Sequence, residues 1–141
     1  MQRMGPVACL LLFLAAGCAK RSPYGNFVAS APLDADLLAR DATHALVTFY
    51  PPALTRIRIP ELSPDAFGAA LVEGLRKRGY AVDSGPALGD EAGKLLRYVV
   101  DSAGDNALYQ VTLLVDGHTL ARPYRLEKGV LAPAGLWVHK E

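Results

Sequence analysis

A thiol at position 18 is the group in this chain whose surroundings best match a known chemistry. Cys18 follows Leu14-Ala15-Ala16-Gly17, and ahead of these lie an apolar stretch, Val7 to Leu14, and the positively charged Arg3. A positive start, an apolar core of about 7–15 residues and small residues before the cut are the parts of a cleavable export signal. A cysteine in the first mature position adds acylation: its sulfur takes a diacylglycerol, and the amino group freed by cleavage takes a further acyl chain. Several chains together give the stable membrane attachment that a single one does not. The apolar stretch is too short to span a core of about 30 Å, which needs about 20 residues. The expectation is a signal peptide at 1–17, lipid on Cys18, and a protein held at a membrane surface without crossing it.

The histidines, hydroxyls and carboxylates offer little further chemistry. His44 falls beside the apolar face of a predicted helix, His118 beside Asp116 in a predicted turn, and His139 near the tail. None is spaced with another His, Asp or Glu as in H-E-x-x-H, so no metal ligands are expected. Ser84 and Ser102 stand in no G-x-S-x-G elbow. Asp90-Glu91 and the Asp34/Asp36 pair read as solvated charges rather than as a dyad with one carboxyl in an apolar setting. Arg76-Lys77-Arg78 suits a helix C-terminus, where cations complement the dipole. The expectation is a protein that is not an enzyme, with no catalytic residues and no cofactor beyond the acyl chains on Cys18.

Composition narrows the classes further. Removing residues 1–17 leaves 124 of the 141, enough for one core, with 14 Lys+Arg against 14 Asp+Glu. That balance lacks the basic stripe of a nucleic-acid binder, so no direct nucleic-acid partner is expected. Cys9 leaves with the leader and Cys18 carries lipid, which excludes disulfides and Cys-based zinc sites from the mature chain.

The elements that would position any partner contacts can be read from periodicity and punctuation. Residues 18–31 form the lipidated cysteine and a flexible linker rich in small and polar residues, interrupted by Tyr24, Phe27 and Val28. Leu33, Leu37, Ala42, Ala45, Leu46 and Phe49 recur at helical spacing, predicting a helix from Leu33 to about Tyr50, closed by Pro51-Pro52. Thr55–Ile59 alternates as a half-buried strand. Ser63-Pro64-Asp65 predicts a helix start with Ser63 as the cap and Pro64 in the first turn, and Gly79 ends that helix. Tyr80-Ala81-Val82 then returns to the sheet, and Ser84 to Gly93 reads as a surface loop. Leu95–Ser102, Ala107–Val115 and Thr119–Leu126 read as an antiparallel meander, with Asp116-Gly117 as the hairpin turn. Lys128-Gly129 turns into a last strand, Val130 to Val138, broken by Pro133 and Gly135. The fold class expected for 32–141 is a single periplasmic α+β domain with two helices packed on one face of a mainly antiparallel sheet.

Three blocks carry a family resemblance: Tyr24-Gly25-Asn26-Phe27-Val28; Pro64 to Glu73 continuing through Arg78-Gly79-Tyr80-Ala81-Val82; and the tail Ala132 to Glu141. Together they resemble the conjugal transfer lipoprotein TrbH family. The resemblance implies a component of a conjugative type IV secretion system, in the mating-pair-formation set. It implies an outer-membrane lipoprotein facing the periplasm, acting as a scaffold beside other secretion-channel core subunits, with a homo-oligomeric ring as one arrangement. Ala19 and Lys20 after Cys18, in place of an inner-membrane retention aspartate, agree with outer-membrane export. Tyr24, Phe27 and Val28 are the candidate docking segment, and the surface around Trp137 is a second candidate. For the aromatics in both places, packing against the domain itself is the competing reading. The alternative function is a periplasm-facing outer-membrane lipoprotein that docks onto a cell-wall synthase or other envelope complex.

Overall fold

The computed structural model describes residues 22–60, 65–85, 92–104 and 107–141. Cys18, Ser63, Pro64 and most of the predicted loop before Gly93 lie outside the described residues.

The first helix, α1, runs Ala35–Phe49, and Asp34 is its cap, its side chain accepting from the Leu37 amide at 2.9 Å. The helix therefore starts two residues after the predicted Leu33. The start moves because a carboxylate that satisfies an orphan amide near the positive dipole end outweighs one more apolar position. The second helix, α2, runs Ala66–Lys77 and is capped by Asp65, which accepts from the Gly68 amide at 2.8 Å. This replaces the expected Ser63 cap. The first-turn acid of the sequence reading is itself the cap. Gly79, at φ 92°, ends the helix in the left-handed region open to glycine.

Among the described residues, eight strands form one sheet. In chain order they are β1 (Gly25–Asn26), β2 (Arg56–Ile59), β3 (Ala81–Ser84), β4 (Lys94–Ser102), β5 (Leu108–Val115), β6 (His118–Glu127), β7 (Val130–Pro133) and β8 (Val138–Lys140). The main order is β3-β2-β4-β5-β6-β7. Strands β4 to β7 pair antiparallel, whereas β3, β2 and β4 pair parallel. The β2–α2–β3 segment is thus a βαβ unit attached to an antiparallel meander, and the fold is α+β with a mainly antiparallel sheet.

The predicted last strand divides. Pro133 and Gly135 break it, and both pieces return to the same neighbour: β7 pairs with the Tyr124–Glu127 end of β6 and β8 with its Thr119–Ala121 end. The segment expected to be a flexible linker contributes β1, parallel to β4 with Gly25 opposite Val99. Each long edge of the β4–β6 meander therefore carries a short strand from one end of the chain.

Strand alternation sorts the two faces. Leu96, Tyr98 and Val100 on β4, Val111, Leu113 and Val115 on β5, and Leu120 and Tyr124 on β6 are buried. They join Leu38, Ala42 and Leu46 of α1 and Phe67, Leu71 and Leu75 of α2 in one cluster, so both helices lie on this face. Two hydrogen-bonded carboxylates lock the layers. Tyr98 donates to Asp65 at 2.7 Å, tying β4 to the start of α2. Arg122 and Tyr124 on β6 both donate to Asp41 on α1.

Candidate functional site

The N-terminal arm is held by backbone and packing together. Phe27 donates its amide to the Val100 carbonyl at 2.9 Å, and the Val28 amide donates to Asn26 Oδ1 at 3.0 Å. Tyr24 is half-buried, with the Arg97 guanidinium 4.8 Å from its ring centroid, a cation–π geometry. Val28 packs against the core beside Leu33. Phe27 is the member of the trio left with a large exposed surface, 47%. The arm thus spends Tyr24 and Val28 on its own domain and presents Phe27.

The C-terminal arm follows the same pattern. Trp137 is half-buried against the core. Its neighbours Leu136 and Val138 are 81% and 63% exposed. The arm is aimed from below by Arg122, whose Nε donates to the Gly135 carbonyl at 2.8 Å while Nη1 holds Asp41. Gly135 has little room for anything else, since a Cβ there would lie 3.0 Å from Pro123 Cγ. Of the two readings open for Trp137, packing against the domain is the one observed, and the residues on either side of it carry the exposed apolar area. Sequence reasoning singled out the largest side chain. The signal that could have found Leu136 and Val138 is that they are the apolar neighbours of Trp137; β8 begins only at Val138, so strand alternation does not reach Leu136.

The two arms lie on one level of the sheet. Gly25 pairs with Val99, Val99 with Thr112, Thr112 with Ala121, and Ala121 with Val138. At about 4.8 Å between strands, the four steps separate the arms by about 19 Å. Phe27 and the Leu136–Val138 tip therefore flank a common row of strands.

Several other polar residues pair in ways that suit structure. Lys77 bonds Glu73 at 2.5 Å, lowering the Glu73 pKa and raising that of Lys77, and Arg76 donates to the Val82 carbonyl at 3.3 Å. A groove between the helices is lined by Asp36, Arg40, Thr43, Glu73, Lys77 and Arg78. Tyr80 donates to the Tyr50 carbonyl at 2.5 Å, and burial pushes its phenol up to about 12. His44 is exposed on α1. The histidines that the sequence placed far apart, His118 and His139, stack at 5.8 Å. Among the described residues, no helix is long and apolar enough to cross a membrane.

These features define a small α+β domain whose two termini are strapped across one sheet with apolar tips exposed. The chain belongs to the TrbH family of conjugal transfer proteins, whose model matches residues 21–141. No curated protein and no solved structure matches it. The match begins three residues after Cys18, so it takes in both arms and all the described elements.

Proposed function

We propose that this protein is an outer-membrane lipoprotein, anchored through acyl chains on Cys18 and facing the periplasm, that serves as a structural component of a conjugative type IV secretion apparatus. The carrying observation is the family match over 21–141, and the expected signal peptide at 1–17 with Cys18 as the first mature residue supports the anchor. The role is contact rather than catalysis. Tyr24 and Val28 seat the N-terminal arm so that Phe27 meets a neighbouring channel subunit, and Trp137 seats the C-terminal arm so that Leu136 and Val138 make a second contact. Exposed apolar side chains on rigid, backbone-paired arms lose little conformational freedom on binding. Confinement to the membrane surface raises the effective concentration of both contacts, so each can be weak alone.

Complementation of a donor strain lacking this chain tests the reading. Wild type should restore plasmid transfer, whereas Cys18→Ser and a Phe27→Ser/Leu136→Ser/Val138→Ser variant should leave it at or near the deletion level while accumulating as folded protein. Full transfer by both variants would overturn it, and normal transfer in the deletion strain would remove the chain from the apparatus altogether.

A further inference from the structure

We infer that His118, His139 and Glu141 form a binding site for a divalent transition metal of the zinc class, clamping the C-terminal arm to the β5–β6 hairpin. The backbone brings them together. Antiparallel pairing of β6 with β8 sets Thr119 opposite Lys140 and Leu120 opposite His139. One step further along this register, Glu141 falls opposite His118, and the two-residue period puts His139 and Glu141 on the same side of their strand. One ligand atom from each of the three lies within 4.8 Å of the others. Neighbouring ligands of a tetrahedral zinc, at about 2.0–2.1 Å from the metal, stand about 3.3 Å apart. Small side-chain rotations close that gap.

A second observation points to a ligand. His118 Nδ1 and His139 Nε2 are both shut off from solvent and have no hydrogen-bond partner among the described residues. Buried polar atoms are seldom left so, and two on neighbouring imidazoles call for a partner such as a metal. The Phe49 ring at the end of α1 packs against the His139 ring, with centroids 4.7 Å apart. Lys94, one of the cations near this corner, is engaged with Asp116 at 3.4 Å and with the Tyr50 ring. Two imidazoles and a carboxylate suit zinc, copper, nickel or cobalt rather than magnesium or calcium. Three protein ligands leave a fourth position for water or for a side chain from a partner. The site lies on the strand that carries Val138, so an occupied site would hold the exposed tip of the arm in one orientation. It stands independently of the family reading.

The test is a titration of the mature chain, made without a polyhistidine tag and stripped with a chelator, with Co²⁺ and then Zn²⁺. Wild type should bind one equivalent of Co²⁺ with the visible absorption of a four- or five-coordinate ion, lose it to Zn²⁺, and melt at a higher temperature with Zn²⁺ present. His118→Gln/His139→Gln should weaken binding by about tenfold or more, as disturbing a metal site commonly does, while His44→Gln on the exposed face of α1 should not change it. Glu141 is exposed, so Glu141→Gln should fold normally and still lose affinity, which keeps the test decisive if the double variant does not fold. Absence of saturable binding in wild type, or wild-type affinity retained in both Glu141→Gln and the double variant, would overturn the site.

Discussion

Arg122 on β6 and Asp41 on α1, 81 residues apart in the chain, are joined by hydrogen bonds of 3.0 and 2.8 Å from one guanidinium nitrogen to both carboxylate oxygens. The same arginine holds the Gly135 carbonyl, and Tyr124 donates to the same aspartate. The side chains are 18% and 22% exposed. One charge pair thereby fastens helix to sheet and sheet to C-terminal arm. Removing one partner of such a pair strands a desolvated charge, at a cost of about 3–5 kcal/mol when fully buried and less here. Asp41→Ala should lose about 2–3 kcal/mol by urea titration, whereas Tyr124→Phe, which leaves the ion pair intact, should lose about 1 kcal/mol.

Alkaline pH should unfold the protein from inside. Burial raises the phenol pKa of Tyr80 to about 12 and that of Tyr124 further, the latter also through its bond to Asp41. An unfolded chain releases these protons near pH 10, so the folded state binds more protons above that point. Stability is complete below pH 10 and falls as pH rises toward 12, by up to about 1.4 kcal/mol per pH unit for each such group. Thermal melting between pH 8 and 12 checks this, and Tyr80→Phe should flatten the decline. A melting temperature unchanged to pH 12 would contradict the burial of both phenols.

The helix crossing at Thr43 and Gly74 should show coupling. A Cβ added at Gly74 would stand 2.9 Å from Thr43 Oγ1, a buried hydroxyl without a hydrogen-bond partner among the described residues. Gly74→Ala alone should therefore cost about 1 kcal/mol or more through overpacking. In a Thr43→Ala background the clash disappears and the helix propensity of alanine remains, so Gly74→Ala should stabilise by about 0.5–1 kcal/mol. Equal effects in the two backgrounds would mean that the helices do not cross here.

Surface and anchor residues of the arms should separate. Leu136→Ser and Phe27→Ser remove exposed apolar area and should change stability by about 0.5 kcal/mol or less. Trp137→Ala, which empties a half-buried place against the core, should cost about 2 kcal/mol or more. Partner capture should fall in all three, with the melting temperature dropping only in the last.

Much of this fold is legible in the chain. Apolar spacing locates both helices, strict alternation locates Ile57 and Ile59 in the core, and Asp116-Gly117 and Lys128-Gly129 mark two-residue turns that require positive φ, observed at all four residues. Long-range pairing is what local pattern does not carry. A two-residue strand such as β1 has no periodicity to detect, and the return of both β7 and β8 to β6 depends on where Pro133 and Gly135 allow the chain to bend. The same blindness hid His118 from His139. Ligand-spacing rules look along the sequence, whereas these side chains meet through strand register. Trp137 illustrates a different loss: size marks a residue as important without saying whether it faces the core or a partner.

We propose an acylated component of a transfer apparatus that docks through its two arms. Its most direct test is co-purification from donor-cell outer membranes, comparing wild type, Cys18→Ser and Phe27→Ser/Leu136→Ser/Val138→Ser, with mass spectrometry of the bound proteins and of the mature N-terminus. Wild type should show an acylated Cys18 and recover large secretion-channel subunits, with recovery weakened in both variants. An unmodified N-terminus, or an eluate containing cell-wall enzymes in place of channel subunits, would contradict it.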